Sequence, residues 1–361
     1  MNLTDSTINP KTQRPWNAAL FCYILLIIYV SLFPFSGWRI PDSDTWTVVV
    51  WPRYYDAFDI ILNIVAYMPL GIFIAAAKDR VLLSGAGLRH TLIPGFALSL
   101  TLEFFQYFLP ERFASSLDVL TNTTGTLAGS LLAASPLGQY LLQWFARWRT
   151  TWFRADRAVD FGLILLAAWF VTQLNPGIPF FEAGSIANPL AVSWRTESYD
   201  LLRLILQSIS IALNVCGFAL FVSVLLHPAQ RAWCIALFLM MTGLFLKFAM
   251  AIVMLRAPLR DTVINPSLPI GLVTGALVSA YWVRLTQRKQ LFFATLFVFA
   301  GGLMSKLTGL YSTFDETLRL FDWPYGHLGN FVSVTHYVNE AWPLLALVFL
   351  AYCYIKQRLQ N

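Results

Sequence analysis

Apolar runs of about twenty residues, separated by polar breaks, recur along almost the whole chain. A helix of about that length crosses the roughly 30 Å hydrocarbon core of a bilayer. The pattern therefore predicts ten membrane-spanning helices, near residues 17–36, 58–77, 91–110, 118–141, 159–179, 204–226, 232–255, 264–283, 291–311 and 337–355. The expected fold class is all-α: a polytopic transmembrane helix bundle.

Composition narrows the picture further. Of 361 residues, 57% are hydrophobic and only 12% are charged. A soluble domain of that length buries its core without ten continuous apolar runs. The net charge of +6 does not imply a nucleic-acid partner, because the basic residues lie mostly in the breaks. With the N-terminus cytoplasmic, fifteen Lys and Arg fall on that side and eight on the other. That bias predicts both termini in the cytoplasm. The long breaks 37–57, 180–203 and 312–336 then lie outside with Trp38, Trp46, Trp51, Trp194 and Trp323, residues suited to an interfacial belt. Cys22, Cys216, Cys234 and Cys353 sit in apolar runs without C-x-x-C spacing and read as small buried hydrophobes. The run starting near Trp16 carries no small-residue cleavage site and reads as a retained first span.

One stretch departs from the pattern. Residues 102–129, "LEFFQYFLPERFASSLDVLTNTTGTLAG", thread Glu103, Gln106, Arg112, Asp118 and Asn122 through apolar sequence. An ionisable group in a span costs several kcal/mol unless it is paired or wetted, which makes each a functional candidate. Glu103 and Gln106 are three apart and share a helical face. Pro110 ends the span, and Ser115, Ser116 and Asp118 are suited to cap the next helix. Gly125 and Gly129 permit close helix approach. In the preceding span, Asn63 adds an amide, and Pro69 with Gly71 predicts a bend. The structural reading, a capping and ion-pair network that locks helix ends, competes on near-equal terms with a functional one.

These residues resemble the VanZ-like family of bacterial membrane proteins. The resemblance rests on "DIILNIVAYMPLGIFI" followed by the stretch above, with Asn63, Pro69, Gly71, Glu103, Gln106, Arg112, Asp118, Asn122 and Gly125 in matching order, and on "SLFPF" at 31–35. It covers roughly residues 18–141. It implies a multi-pass protein of the bacterial inner membrane and cell envelope. The founding member is associated with glycopeptide (teicoplanin) resistance, and no biochemical activity comes with the resemblance.

The remaining sequence echoes the first part. "ALN" at 212–214 parallels "ILN" at 61–63, and Lys247 precedes Arg256 by the same nine residues that separate Glu103 from Arg112. Gly271-x-x-x-Gly275 parallels Gly125-x-x-x-Gly129. The expected organisation is a VanZ-like membrane domain at 1–150, a degenerate parallel repeat at 151–290 and an appended helical pair at 291–361. Lys247, standing where the first copy has Glu103, is a candidate charge partner for it.

Three functions fit these residues. The first is binding or translocation of an envelope amphiphile in an outward-facing polar pocket. Glu103, Gln106, Arg112, Asp118, Asn122 and Asn63 would line it; membrane lipids, a lipid-linked envelope precursor or a glycopeptide-related ligand would occupy it. The second is a membrane-embedded enzyme on lipid-linked glycans or phospholipids, with Glu103 as acid or base. The third is a structural partner in an envelope complex. No cofactor is expected, since no serine-nucleophile, HExxH, Walker or dinucleotide-loop motif occurs. His336 and Glu340, with Asp322 and His327 nearby, are too sparse to predict a metal site.

Overall fold

The computed structural model describes residues 10–33, 35–40, 57–78, 85–109, 114–181, 200–227, 231–254, 266–308 and 327–360. Among them are eleven α-helices and no strand. They are α1 (Pro10–Leu32), α2 (Ala57–Lys78), α3 (Gly85–Gln106), α4 (Ser116–Ala134), α5 (Pro136–Trp152), α6 (Arg157–Gln173), α7 (Asp200–Leu225), α8 (Ala232–Met254), α9 (Ser267–Trp282), α10 (Gln287–Leu307) and α11 (His327–Gln360). Five described segments are long and apolar enough to cross a membrane: Ile60–Ala77, Leu201–Leu225, Ala232–Met254, Gln287–Leu307 and Phe331–Leu359. Trp16–Leu32 and Ser267–Trp282 are shorter apolar helices. On α8, Phe238, Phe245 and Val253 are 70%, 74% and 75% exposed. Water would penalise that surface and hydrocarbon would not, so the chain is a membrane protein.

The helix expected over 118–141 is divided. α4 ends at Ala134 and Pro136 opens α5. Proline has no N–H to extend the ladder of α4, but its fixed φ suits a first helical turn. Ser135 Oγ caps the new helix by accepting from Gly138 N–H at 3.0 Å. α5 is of another kind, with Trp144, Trp148 and Trp152 interleaved with Arg147 and Arg149. That mixture suits a membrane interface better than its interior.

The described residues form two compact units, 1–150 and 151–361. In the first, α4 packs on α2 and α3, while α1 packs on α2 and touches α3. Ile27, Leu32, Tyr67, Leu70, Ile74, Leu102 and Leu109 form its apolar core. The α2–α4 contact is backbone to backbone. A Cβ on Gly125 would lie 2.3 Å from Ile64 O, one on Gly129 1.9 Å from Met68 O, and one on Gly71 2.0 Å from Thr126 O. Pro69 lies inside α2, which is helical on both sides of it.

In the second unit α7 is central, and Val215, Ala219, Leu220, Phe221 and Val222 are fully buried. α9 seats Gly271 against Ile211 and Gly275 against Val215. On the α10 side, Ser210 and Ser305 hydroxyls meet at 2.8 Å. α6 and α11 are joined by Trp342 Nε1, which donates to Leu165 O at 2.7 Å. At the start of α6, Asp156 caps Ala158 N–H and receives Lys356 Nζ at 2.6 and 2.8 Å. Burial raises the Asp156 pKa, but the Lys356 ammonium and backbone N–H groups outweigh it and hold the carboxyl below its ordinary value. A carboxylate with a depressed folded pKa stabilises at neutral pH and loses that contribution as pH falls through the folded value. Lys356→Met is therefore expected to lower the melting temperature at pH 7 slightly, through a stability loss of less than about 1 kcal/mol for so exposed a pair. The difference from wild type should close in strong acid, as thermal scans across pH will read.

Candidate functional site

α3 ends and α4 begins where the polar residues gather. Ser115 is the N-cap of α4, with extended backbone (φ −131°, ψ 128°), and its Oγ accepts from Leu117 and Asp118 N–H. Its own N–H, facing back towards α3, donates to Glu103 Oε2 at 2.8 Å. One turn into α4, Asp118 Oδ1 accepts from Asn63 Nδ2 of α2 at 2.9 Å. The chain Asn63, Asp118, Ser115, Glu103 thus stitches α2, α4 and α3 together.

Gln106 lies one turn beyond Glu103, and the two side chains take different partners. Gln106 Nε2 donates to Ser31 O near the end of α1 at 2.9 Å. Glu103 is 3% exposed and turns inward. Asn122 sits a turn deeper along α4 and donates to Ser99 Oγ of α3 at 3.0 Å, while its Oδ1 is buried without a partner among the described residues. Gly71, Gly125 and Gly129 set the α2–α4 spacing that lets Asn63 reach Asp118. Arg112, with Pro110 and Glu111, lies outside the described residues.

The electrostatics are those of an acidic niche. Two carboxyl groups share one helix junction, and among the described residues no cation pairs with Glu103. A carboxyl this deep accepts a hydrogen bond readily, and it takes a positive group at little further desolvation cost. The same bonds also hold three helix ends in register, so the niche is built rigidly whatever it binds.

Lys247 has its hydrogen bonds inside its own unit. It is 1% exposed on α8, and its Nζ donates to Asn175 O at 2.8 Å and Ile178 O at 2.7 Å. Those carbonyls follow the C-terminal end of α6, where a cation complements the helix dipole. Asn175 is anchored in turn, its Nδ2 donating to Thr335 Oγ1 at 2.8 Å. His336 Nε2 and Glu340 Oε1 are 3.1 Å apart along α11. Among the described residues, no group of three or more His, Cys, Asp or Glu is arranged to hold a metal.

The sequence pattern did not single out a second polar place, in the 151–361 unit, where Gln173, Asn214 and Asn339 line one cavity. The available signal was an amide inside each of three apolar runs, at positions 166 residues apart at the extremes.

A VanZ/LLP1 family model matches residues 7–143 of the chain. No curated protein and no solved structure matches it.

Proposed function

We propose that this membrane protein, VanZ-like over residues 7–143, binds or translocates an amphiphile of the bacterial cell envelope by its polar headgroup. The headgroup sits at the junction of α2, α3 and α4. The observation that carries this reading is Glu103, nearly fully buried, held by the Ser115 N–H, and beside a second carboxyl that Asn63 orients. In this reading Glu103 and Asp118 hold hydroxyl or amino groups of the headgroup, and Gln106 and Asn122 border it. Arg112 supplies the charge for a phosphate or carboxylate, in the bidentate geometry a guanidinium favours. Apolar helix faces take the acyl or prenyl tail. The excess of basic residues in one set of breaks supports cytoplasmic termini, ten crossings of the inner membrane and a junction opening at the external leaflet. A lipid-linked envelope precursor or a glycopeptide-related ligand is the occupant this geometry suits, and glycopeptide (teicoplanin) resistance would follow from sequestering or moving it.

The test is lipid identification on purified protein. Native mass spectrometry of wild type should retain an envelope lipid with an anionic headgroup, and Arg112→Gln should lose at least tenfold of that retention while still inserting in the membrane. Equal retention by the variant would refute the headgroup site. A second reading, in which Glu103 passes a proton during turnover of a lipid-linked substrate, draws on the same buried carboxyl. It is distinguished by lipid products that purified wild type forms and Glu103→Gln does not.

A further inference from the structure

The 151–361 unit holds a cavity to which the VanZ-like region contributes no described residue. It lies among α6, α7, α10 and α11, opens to the outside of the unit, has enclosed room for little more than one small polar group, and is walled by Trp169, Phe181 and Trp342 with the amides of Gln173, Asn214 and Asn339. Two of these amides are left with polar capacity. Gln173 is 3% exposed; its Nε2 donates to Trp169 O at 3.0 Å and Thr172 Oγ1 at 2.8 Å, and its Oε1 is buried with no partner among the described residues. Asn339 is 8% exposed, and its side chain has no hydrogen-bond partner among the described residues.

The backbone of α11 repeats the point. Pro343, inside α11 and also on the cavity wall, has no N–H to give to the carbonyl of Asn339 four residues earlier. In a membrane protein, an interrupted helical ladder persists where it is packed in protein or faces a cavity. Gln173 and Asn339 therefore both line one space beside a proline in the helix. They ask for a donor and offer one donor group in return. A leftover buried acceptor costs free energy unless something meets it, so the arrangement is explained by an occupant.

The lining also limits the chemistry. None of the described wall residues is ionisable. A charged headgroup would shed its hydration here without gaining an opposite charge, a cost of several kcal/mol. A hydroxyl both donates and accepts and carries no charge, which fits two amides. The aromatic walls suit the hydrocarbon attached to it.

We propose that the 151–361 unit binds an uncharged, hydroxyl-bearing ligand between Gln173 and Asn339, either the head of a neutral lipid or a free polyol. This site is separate from the anionic headgroup site proposed at Glu103 and Arg112.

The test uses the full chain in detergent, with dioleoylglycerol, phosphatidylglycerol of the same acyl chains, and free glycerol as probes read by native mass spectrometry. Wild type should retain dioleoylglycerol against a tenfold excess of phosphatidylglycerol. Gln173→Met and Asn339→Leu should each weaken retention at least tenfold. Asn339→Leu should do so with no fall in melting temperature, since that side chain has no hydrogen bond among the described residues to lose, whereas Gln173→Met also gives up the two bonds of its Nε2. Displacement of the lipid by millimolar glycerol identifies the free polyol as the ligand; resistance to glycerol identifies the lipid. Displacement of dioleoylglycerol from wild type by the tenfold excess of phosphatidylglycerol, or retention of no uncharged alcohol, overturns the proposal without any variant having to fold, and a cavity holding water alone is that second result. Arg112→Gln should leave dioleoylglycerol retention unchanged, which separates this outcome from failure of the headgroup site.

Discussion

Replacing Gly129 with leucine is expected to unseat α4 from α2 and to destabilise the 1–150 unit by about 3 kcal/mol or more. The first atom of any side chain there would fall 1.9 Å from Met68 O, 2.7 Å from Met68 C and 2.9 Å from Met68 Cα. All three are backbone, so no rotamer change relieves the clash and the helices must separate. Separation also pulls Asn63 away from Asp118, now 2.9 Å apart, so headgroup retention should fall with stability. Gly95→Ala is the matched control. Its new Cβ would meet only the Thr126 side chain, at 2.6–2.9 Å, and a side chain can shift. Thermal unfolding in detergent should rank wild type, Gly95→Ala and Gly129→Leu in that order. A Gly129→Leu protein melting with wild type would mean that α2 and α4 do not cross through these glycines.

The second large effect is expected at Glu103, and it depends on what replaces it. Glu103→Leu leaves the Ser115 N–H without an acceptor inside a buried junction, a loss of about 1–3 kcal/mol. It also frees the chain that enters α4, because Ser115 is the cap. Glu103→Gln keeps a carbonyl oxygen at the same reach, so stability should stay within about 1 kcal/mol of wild type. Ligand retention is where the two readings of this residue part. If Glu103 only fastens helix ends, Gln restores both stability and lipid retention. If it binds or protonates the headgroup, Gln restores stability alone. Melting temperature and native mass spectra on the same three proteins decide between them.

Much of this junction could be read before any coordinates, for a reason tied to its chemistry. Glu103 and Asp118 stand out because a carboxyl in an apolar run is expensive, and Ser115 because a short hydroxyl residue before an apolar helix is a strong cap. Asn63 could be nominated but its partner could not, since α2 and α4 meet across 55 residues of sequence. The shared face expected for Glu103 and Gln106 was right in spacing, yet one meets the cap of α4 and the other the end of α1, which periodicity cannot distinguish. The break at Ser135 was hidden because the residues on either side are apolar, and a single Pro in such a run fits a kink as well as a new helix. Gln173 and Asn339 were missed on energetic grounds. A neutral amide costs far less in hydrocarbon than a charge and usually signals helix-to-helix bonding. Only the count of unmet atoms, which needs coordinates, set these two apart.

The length of α4 has a bearing on how the protein sits in lipids of different kinds. Nineteen helical residues rise about 28 Å, close to the hydrocarbon thickness of an average bilayer. At the Ser135 corner the chain passes into α5, whose Phe145 packs on Trp16 at 5.2 Å and whose tryptophans and arginines favour the headgroup layer. With that end moored, membrane thickness decides the depth of the other. A thin bilayer lifts Ser115 and its acidic neighbours among the headgroups; a thick one draws them beneath the surface, at a cost of a fraction of a kcal/mol for each ångström of mismatch. Chain length and sterol-like stiffening of the host membrane would thereby act as a dial on access to Glu103, with no residue of the protein changed.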